Sequence, residues 1–173
     1  HVWDLSRFHR QSFAHGQREP LEIDVVEMFG AGIPCLPAHL SKTSYKSYLA
    51  VVPGEVLSKL YGTYGSRLLE QNVRNFLKVT GNVNKGIRKT IYDEPNMFFA
   101  YNNGITATAA EVVVKPGPNG QVMTKINDLQ IVNGGQTTAS LFFAQKNKKD
   151  TDLSEIFVQM KLSVISAKDS EDV

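Results

Sequence analysis

The chain has 173 residues, 42% of them apolar and 21% charged, the proportions of an ordinary soluble globular domain with a buried core. Its 19 Lys and Arg against 17 Asp and Glu leave a net charge of +2, which excludes the strong basic excess of a general nucleic-acid binder and allows only a local basic patch. The single cysteine, Cys35, excludes an internal disulfide and suits a reducing cytoplasm, and no apolar run is long enough to span a bilayer.

Residues 1–16 form an entry segment. Asp4 can cap a short helix running to about Gln11, with Trp3, Leu5 and Phe8 as a partial apolar face. The core domain is expected over residues 17–173. Residues Leu21 to Phe29 alternate apolar and acidic, which predicts a half-exposed strand. Glu22, Asp24 and Glu27 on that strand suit either a metal site or, more simply, a solvated face. No Glu-x-Lys with strand context follows, as a restriction-type nuclease core would require. Pro34 and Pro37 make the next stretch irregular or an edge strand. Cys35 reads as a structural cysteine, and the histidines (His1, His9, His15, His39) show no zinc-ligand spacing with cysteine.

Tyr45 to Val52 predicts a strand. Pro53 then opens a helix whose apolar face is Val56, Leu57, Leu60 and Tyr61, with Gly62 and Gly65 ending it. Leu69, Val73, Phe76 and Leu77 recur at helical spacing over 68–77, placing Arg74 on a polar face. Arg74 suits a phosphate or carboxylate there, and equally an ordinary surface salt bridge. Residues 83–91 predict a second helix carrying Lys85, Arg88 and Lys89, a phosphate-attracting face or a solvated one. Pro95 to Phe99 reads as a short helix. One long strand is expected over Ile105 to Lys115, joined by the Pro116–Gly120 turn to a hairpin partner over Gln121 to Asn127. A last strand is expected over Ile156 to Ile165.

Two runs stand apart. Leu129 to Leu141 reads as a buried strand, an Asn133-Gly134-Gly135 turn and a helix beginning at Gln136. A strand feeding a glycine turn into a helix leaves backbone N–H groups free at the positive end of the helix dipole, which suits an anion. Upstream, Asn102-Asn103-Gly104 lies between the aromatic cluster Phe98–Tyr101 and a β-branched strand. Asn-Gly is also the commonest tight-turn pair. Either run alone is satisfied by a plain turn, whereas both together favour convergence of their amides with Thr137 on a polar ligand.

Four blocks carry a resemblance: Asn72–Leu77, Val83–Thr90, Tyr101–Thr106 and Gln130–Thr138. In that order they resemble the AIPR family, abortive-infection phage-resistance proteins often associated with restriction–modification operons. The resemblance implies bacterial antiviral defence and a longer protein with a nuclease-like region upstream, this chain being an internal fragment truncated at its C-terminus. The glycine turn is also similar in shape to the strand–Gly–helix element of ParB-type and related DGQHR proteins. Here Asn133 stands where an Asp might be, one extra Gly precedes Gln136, and Thr137 replaces a basic residue.

No nucleophile–base pair is visible, and carboxamides position ligands without moving protons near neutral pH. The expected fold is α/β or α+β, a mixed sheet with a β-hairpin, packed helices and a strand–Gly turn–helix site. The expected ligand set is Asn102, Asn103, Gly104, Asn133, Gly134, Gly135, Gln136 and Thr137, with Arg74, Lys85 and Arg88 supplying positive charge. Recognition of a nucleic acid, nucleotide or other phosphate-bearing ligand is the leading expectation, with no cofactor identified. The alternatives are a hydrolase using a divalent metal near Asp128, and a scaffold for oligomers or partner proteins, neither of them membrane-bound.

Overall fold

The computed structural model describes residues 21–38, 45–69, 83–148 and 150–165. Strands β1 (Glu22–Asp24), β2 (Ile33–Pro37), β3 (Lys46–Pro53), β4 (Ile105–Ala109), β5 (Glu111–Gly117), β6 (Gly120–Asn127), β7 (Gln130–Asn133) and β8 (Phe157–Val164) form one mixed sheet. Its helices are α1 (Val25–Phe29), α2 (Gly54–Tyr64), α3 (Val83–Asp93), α4 (Phe98–Tyr101) and α5 (Gly135–Asn147). The fold is α+β.

The sheet runs β6, β2, β3, β8, β4, β7, with β5 on the far side of β6 and β1 sharing an edge of β6 with β2. Its pairs are antiparallel except β4 with β8. Side chains alternate along the central strands, so Tyr48, Ala50 and Val52 of β3 and Val158, Met160 and Leu162 of β8 are buried while Leu49, Val51, Gln159 and Lys161 between them are exposed. The buried face carries the helices. α5 packs against both α2 and α3. Thr137, Thr138, Ala139, Ser140, Leu141 and Ala144 are all buried. These mostly small residues let neighbours approach α5 closely around much of its circumference, so it shows no single apolar stripe.

Three expectations change. The alternating run from Leu21 is a strand only to Asp24. There the carboxylate accepts a hydrogen bond from Glu27 N at 3.0 Å and caps α1, which Gly30 closes in the left-handed conformation. β2 is not an edge strand. It pairs with β6 over Ile33–Cys35 and with β3 over Cys35–Pro37, so Pro34 and Pro37 each face a partner strand on one side only. The strand expected over 105–115 breaks at Ala110, whose N–H donates to Asn127 O, and its two halves join opposite ends of the sheet: β4 sits between β7 and β8, and β5 pairs with β6. In addition, Gly62 lies within α2, which continues to Tyr64. The proposed entry helix, the four histidines and residues 70–77 of the helix expected over 68–77 lie outside the described residues; Leu68 and Leu69 do not begin that helix, because Leu68 ends a 3-10 turn and Leu69 is extended and bridges to Ile131 of β7.

Candidate functional site: paired Asn-Gly turns

The antiparallel pairing of β4 with β7 sets Thr106 opposite Asn133. This brings together two turns separated by about thirty residues of chain. Gly104 and Gly134 both have left-handed backbone, with φ of 76° and 81°. A Cβ built on Gly134 would lie 2.6 Å from Gly104 O and 2.8 Å from Ile105 Cγ2, so the turns touch through bare backbone. A Cβ on Gly104 would meet the carbonyl oxygen of Gln159 in β8. Glycine is required at both positions by conformation and by contact. Asn133 and Gly135, on either side of Gly134, do not have positive φ.

Asn102 ties the two turns together. Its Oδ1 accepts from Gly104 N at 2.9 Å, which shapes the first turn, and its Nδ2 donates to Thr137 Oγ1 at 3.1 Å, in the first turn of α5. Thr137 is buried, and its N–H donates to Gly134 O at 3.0 Å. Asn133 Oδ1 accepts from Gly134 N at 2.8 Å, while the residue itself is exposed. Asn103 is exposed and makes no side-chain hydrogen bond among the described residues. Gln136 is half-buried and has a partner within the protein. No side chain caps α5, whose N-cap is Gly134. The helix therefore starts at the junction, with Asn133 Oδ1 on the N–H of its N-cap residue Gly134.

The structure thus gathers Asn102, Asn103, Gly104, Asn133, Gly134, Gly135, Gln136 and Thr137 at one junction. It does not show the basic residues joining them. Lys85 and Arg88 lie on α3, and the ring contact between α3 and the end of α5 is Tyr92 beneath Lys148, with Nζ 5.7 Å from the ring centroid. Lys148 follows the last residue of α5, about 20 Å from the glycine turn at the helical rise per residue. Arg88 has a partner within the protein, and Arg74 lies outside the described residues.

Sequence reasoning did not mark Thr138. It is fully buried one residue beyond Thr137, and its Oγ1 has no hydrogen-bond partner among the described residues. A threonine in an apolar helix gives no signal of this in sequence. Asp128 serves a turn: its φ is 55° and its N–H donates to Leu21 O at 2.7 Å. Among the described residues no three His, Cys, Asp or Glu side chains gather to hold a metal. Cys35 lies between β3 and β6, and burial raises its thiol pKa, which lowers its reactivity.

A family model described as AIPR protein matches residues 69–173, more than half of the chain. The chain belongs to the AIPR family. The match spans both Asn-Gly turns, α3, α5 and every strand from β4 to β8. Residues 21–68 lie before it, yet they supply β1, β2 and β3 to the same sheet and α2 against α5. No curated protein and no solved structure matches the chain. The family points to abortive infection and phage defence, and no helix among the described residues is long and apolar enough to cross a membrane.

Proposed function

We propose that this AIPR chain is the recognition core of a phage-defence protein and holds a phosphate-bearing ligand, nucleotide or nucleic acid at the paired Asn-Gly turns. The observation that carries this reading is the contact of Gly104 with Gly134 at the uncapped start of α5. Beside that contact lie the start of α5, the exposed Asn103 and the exposed Asn133, whose amide nitrogen has no hydrogen-bond partner among the described residues. Asn102 and Thr137 bond to one another and hold the two turns in register. Asn103, Asn133 and Gln136 are the groups assigned to the ligand. Donors without a nearby base suit binding of an oxyanion and not its hydrolysis.

The test is binding of short single- and double-stranded DNA, RNA and common nucleotides at two salt concentrations, comparing the wild type with the Asn133→Ala/Gln136→Ala variant. Saturable binding that the variant loses while its unfolding midpoint is retained is the expected result, and weakening with salt would report phosphate contacts. Absence of binding to every probe would refute the proposal. It would leave the paired turns as a structural joint, a reading that the Asn102–Thr137 bond favours.

A further inference from the structure

A groove of about 690 Å3 lies between α2 and α5, on the flank of α5 beyond its first two turns. Its floor is a hydrogen bond from Ser58 Oγ to Gln145 Oε1 at 2.6 Å, with Ser58 buried. That bond engages the amide oxygen, and the two N–H donors of Gln145 have no protein partner among the described residues. The Phe142 ring forms an aromatic wall, tilted against Tyr61 at 5.4 Å between centroids. Gly62 makes room for it, since a Cβ there would lie 3.0 Å from Phe142 Cε2.

Charge lines the rim. Lys59 is tethered, donating to Met28 O at 2.7 Å, and contributes its field from a fixed position. Lys146 is exposed, its Nζ 5.8 Å from the Phe142 centroid, and can swing outward without breaking a hydrogen bond. Glu55 is exposed and has no ion-pair partner among the described residues.

We propose that this groove is a second binding site, for the nucleotide unit of an amino-bearing base. The base lies against Phe142, its exocyclic amino group donates to Glu55, its ring acceptor receives the Gln145 amide, and its phosphate meets Lys146. An aromatic wall, one acceptor, one amide donor and a mobile cation match the parts of such a nucleotide one for one. A simple anion would use the lysine alone, and a simple apolar ligand would leave the amide and carboxylate unpaired. The site shares no residue with the paired Asn-Gly turns and does not depend on them.

The experiment follows the backbone signals of Ser58 and Gly62 and the side-chain amide of Gln145 by NMR in the 173-residue chain. The probes are cytidine 5′-monophosphate, uridine 5′-monophosphate, inorganic phosphate and a short oligocytidylate. Cytidine monophosphate should shift all three signals saturably, several-fold more tightly than the uridine nucleotide, whose carbonyl faces Glu55 where cytosine has its amino group. Inorganic phosphate should leave the Gln145 amide unmoved. Saturation by the oligomer alone would support the site with a strand as its source. Gly62→Leu should fill the groove and abolish the shifts of Ser58 and Gln145. Lys146→Glu, an exposed change that leaves the fold intact, should weaken the cytidine nucleotide about tenfold. Asn133→Ala/Gln136→Ala should leave the groove signals unchanged, so failure at the turns is separable from failure here. No shift with either cytidine probe at millimolar concentration, or equal shifts in Lys146→Glu, would overturn the proposal.

Discussion

Gly134→Ala tests whether the two turns are locked through bare backbone. Gly134 has φ of 81°, so an alanine there bears the left-handed cost of about 1–2 kcal/mol. Its Cβ would also sit 2.6 Å from Gly104 O, 2.8 Å from Ile105 Cγ2 and 3.0 Å from Ile105 Cα. Two of those atoms are backbone in or beside β4 and cannot rotate away, so the strand and the start of α5 must separate. Overpacking of that kind adds about 1–3 kcal/mol. The total, about 2–5 kcal/mol, is a large share of the roughly 5–15 kcal/mol stability of a domain. At about 2–4 °C per kcal/mol for a chain of this size, the unfolding midpoint should fall by roughly 4–20 °C. Gly30→Ala is the control. Its φ is 76°, but a Cβ there has nothing within 4 Å, so it bears the conformational cost alone. Denaturant unfolding of both variants separates the two contributions. If Gly134→Ala destabilises no more than Gly30→Ala, the proposed backbone contact between the turns is refuted.

A double-mutant cycle of Asn102→Ala and Thr137→Val should give a coupling energy of about 1 kcal/mol, from the 3.1 Å hydrogen bond between the turns; strict additivity in chemical denaturation would show that the bond does not couple them. The Asp24 carboxyl is held below its ordinary pKa of 3.8, first by the hydrogen bond from Glu27 N and then by Lys125 at 3.0 Å. A carboxylate whose folded pKa is depressed stabilises the fold above its unfolded value and loses that contribution as pH falls through the folded one. Asp24→Asn keeps a capping oxygen but loses the ion pair. The wild type should therefore be the more stable at neutral pH, with the gap closing below about pH 4. Thermal midpoints measured across that range decide the matter, and a gap independent of pH would contradict it.

Much of the fold is legible in the sequence because local chemistry dictates it. The Pro118-Asn119 turn between β-branched runs makes the β5–β6 hairpin, Val56, Leu57 and Leu60 at helical spacing make α2, and Gln130–Asn133 feeding two glycines makes the β7–α5 turn. Alternation failed at Leu21–Phe29 because Asp24, a residue of either state, bonds the backbone three positions on and converts a strand into a helix cap. It failed again at Ala110, where nothing local requires a break. Only the demand of two distant partners, β7 and β6, divides that run.

The candidate site shows the same division. The residue types and the four sequence blocks determined which amides and glycines to consider and to which family the chain belongs. Only the tertiary structure decided that Gly104 touches Gly134, that Asn102 is engaged with Thr137 while Asn103 is not, and that Tyr92 of the basic helix meets the far end of α5. The groove between α2 and α5 joins residues nearly ninety positions apart, bridged by the Ser58–Gln145 hydrogen bond. Backbone conformation and capping act within a few residues and are written in sequence. Strand pairing and helix packing act across the chain, and they set which polar groups remain for a ligand.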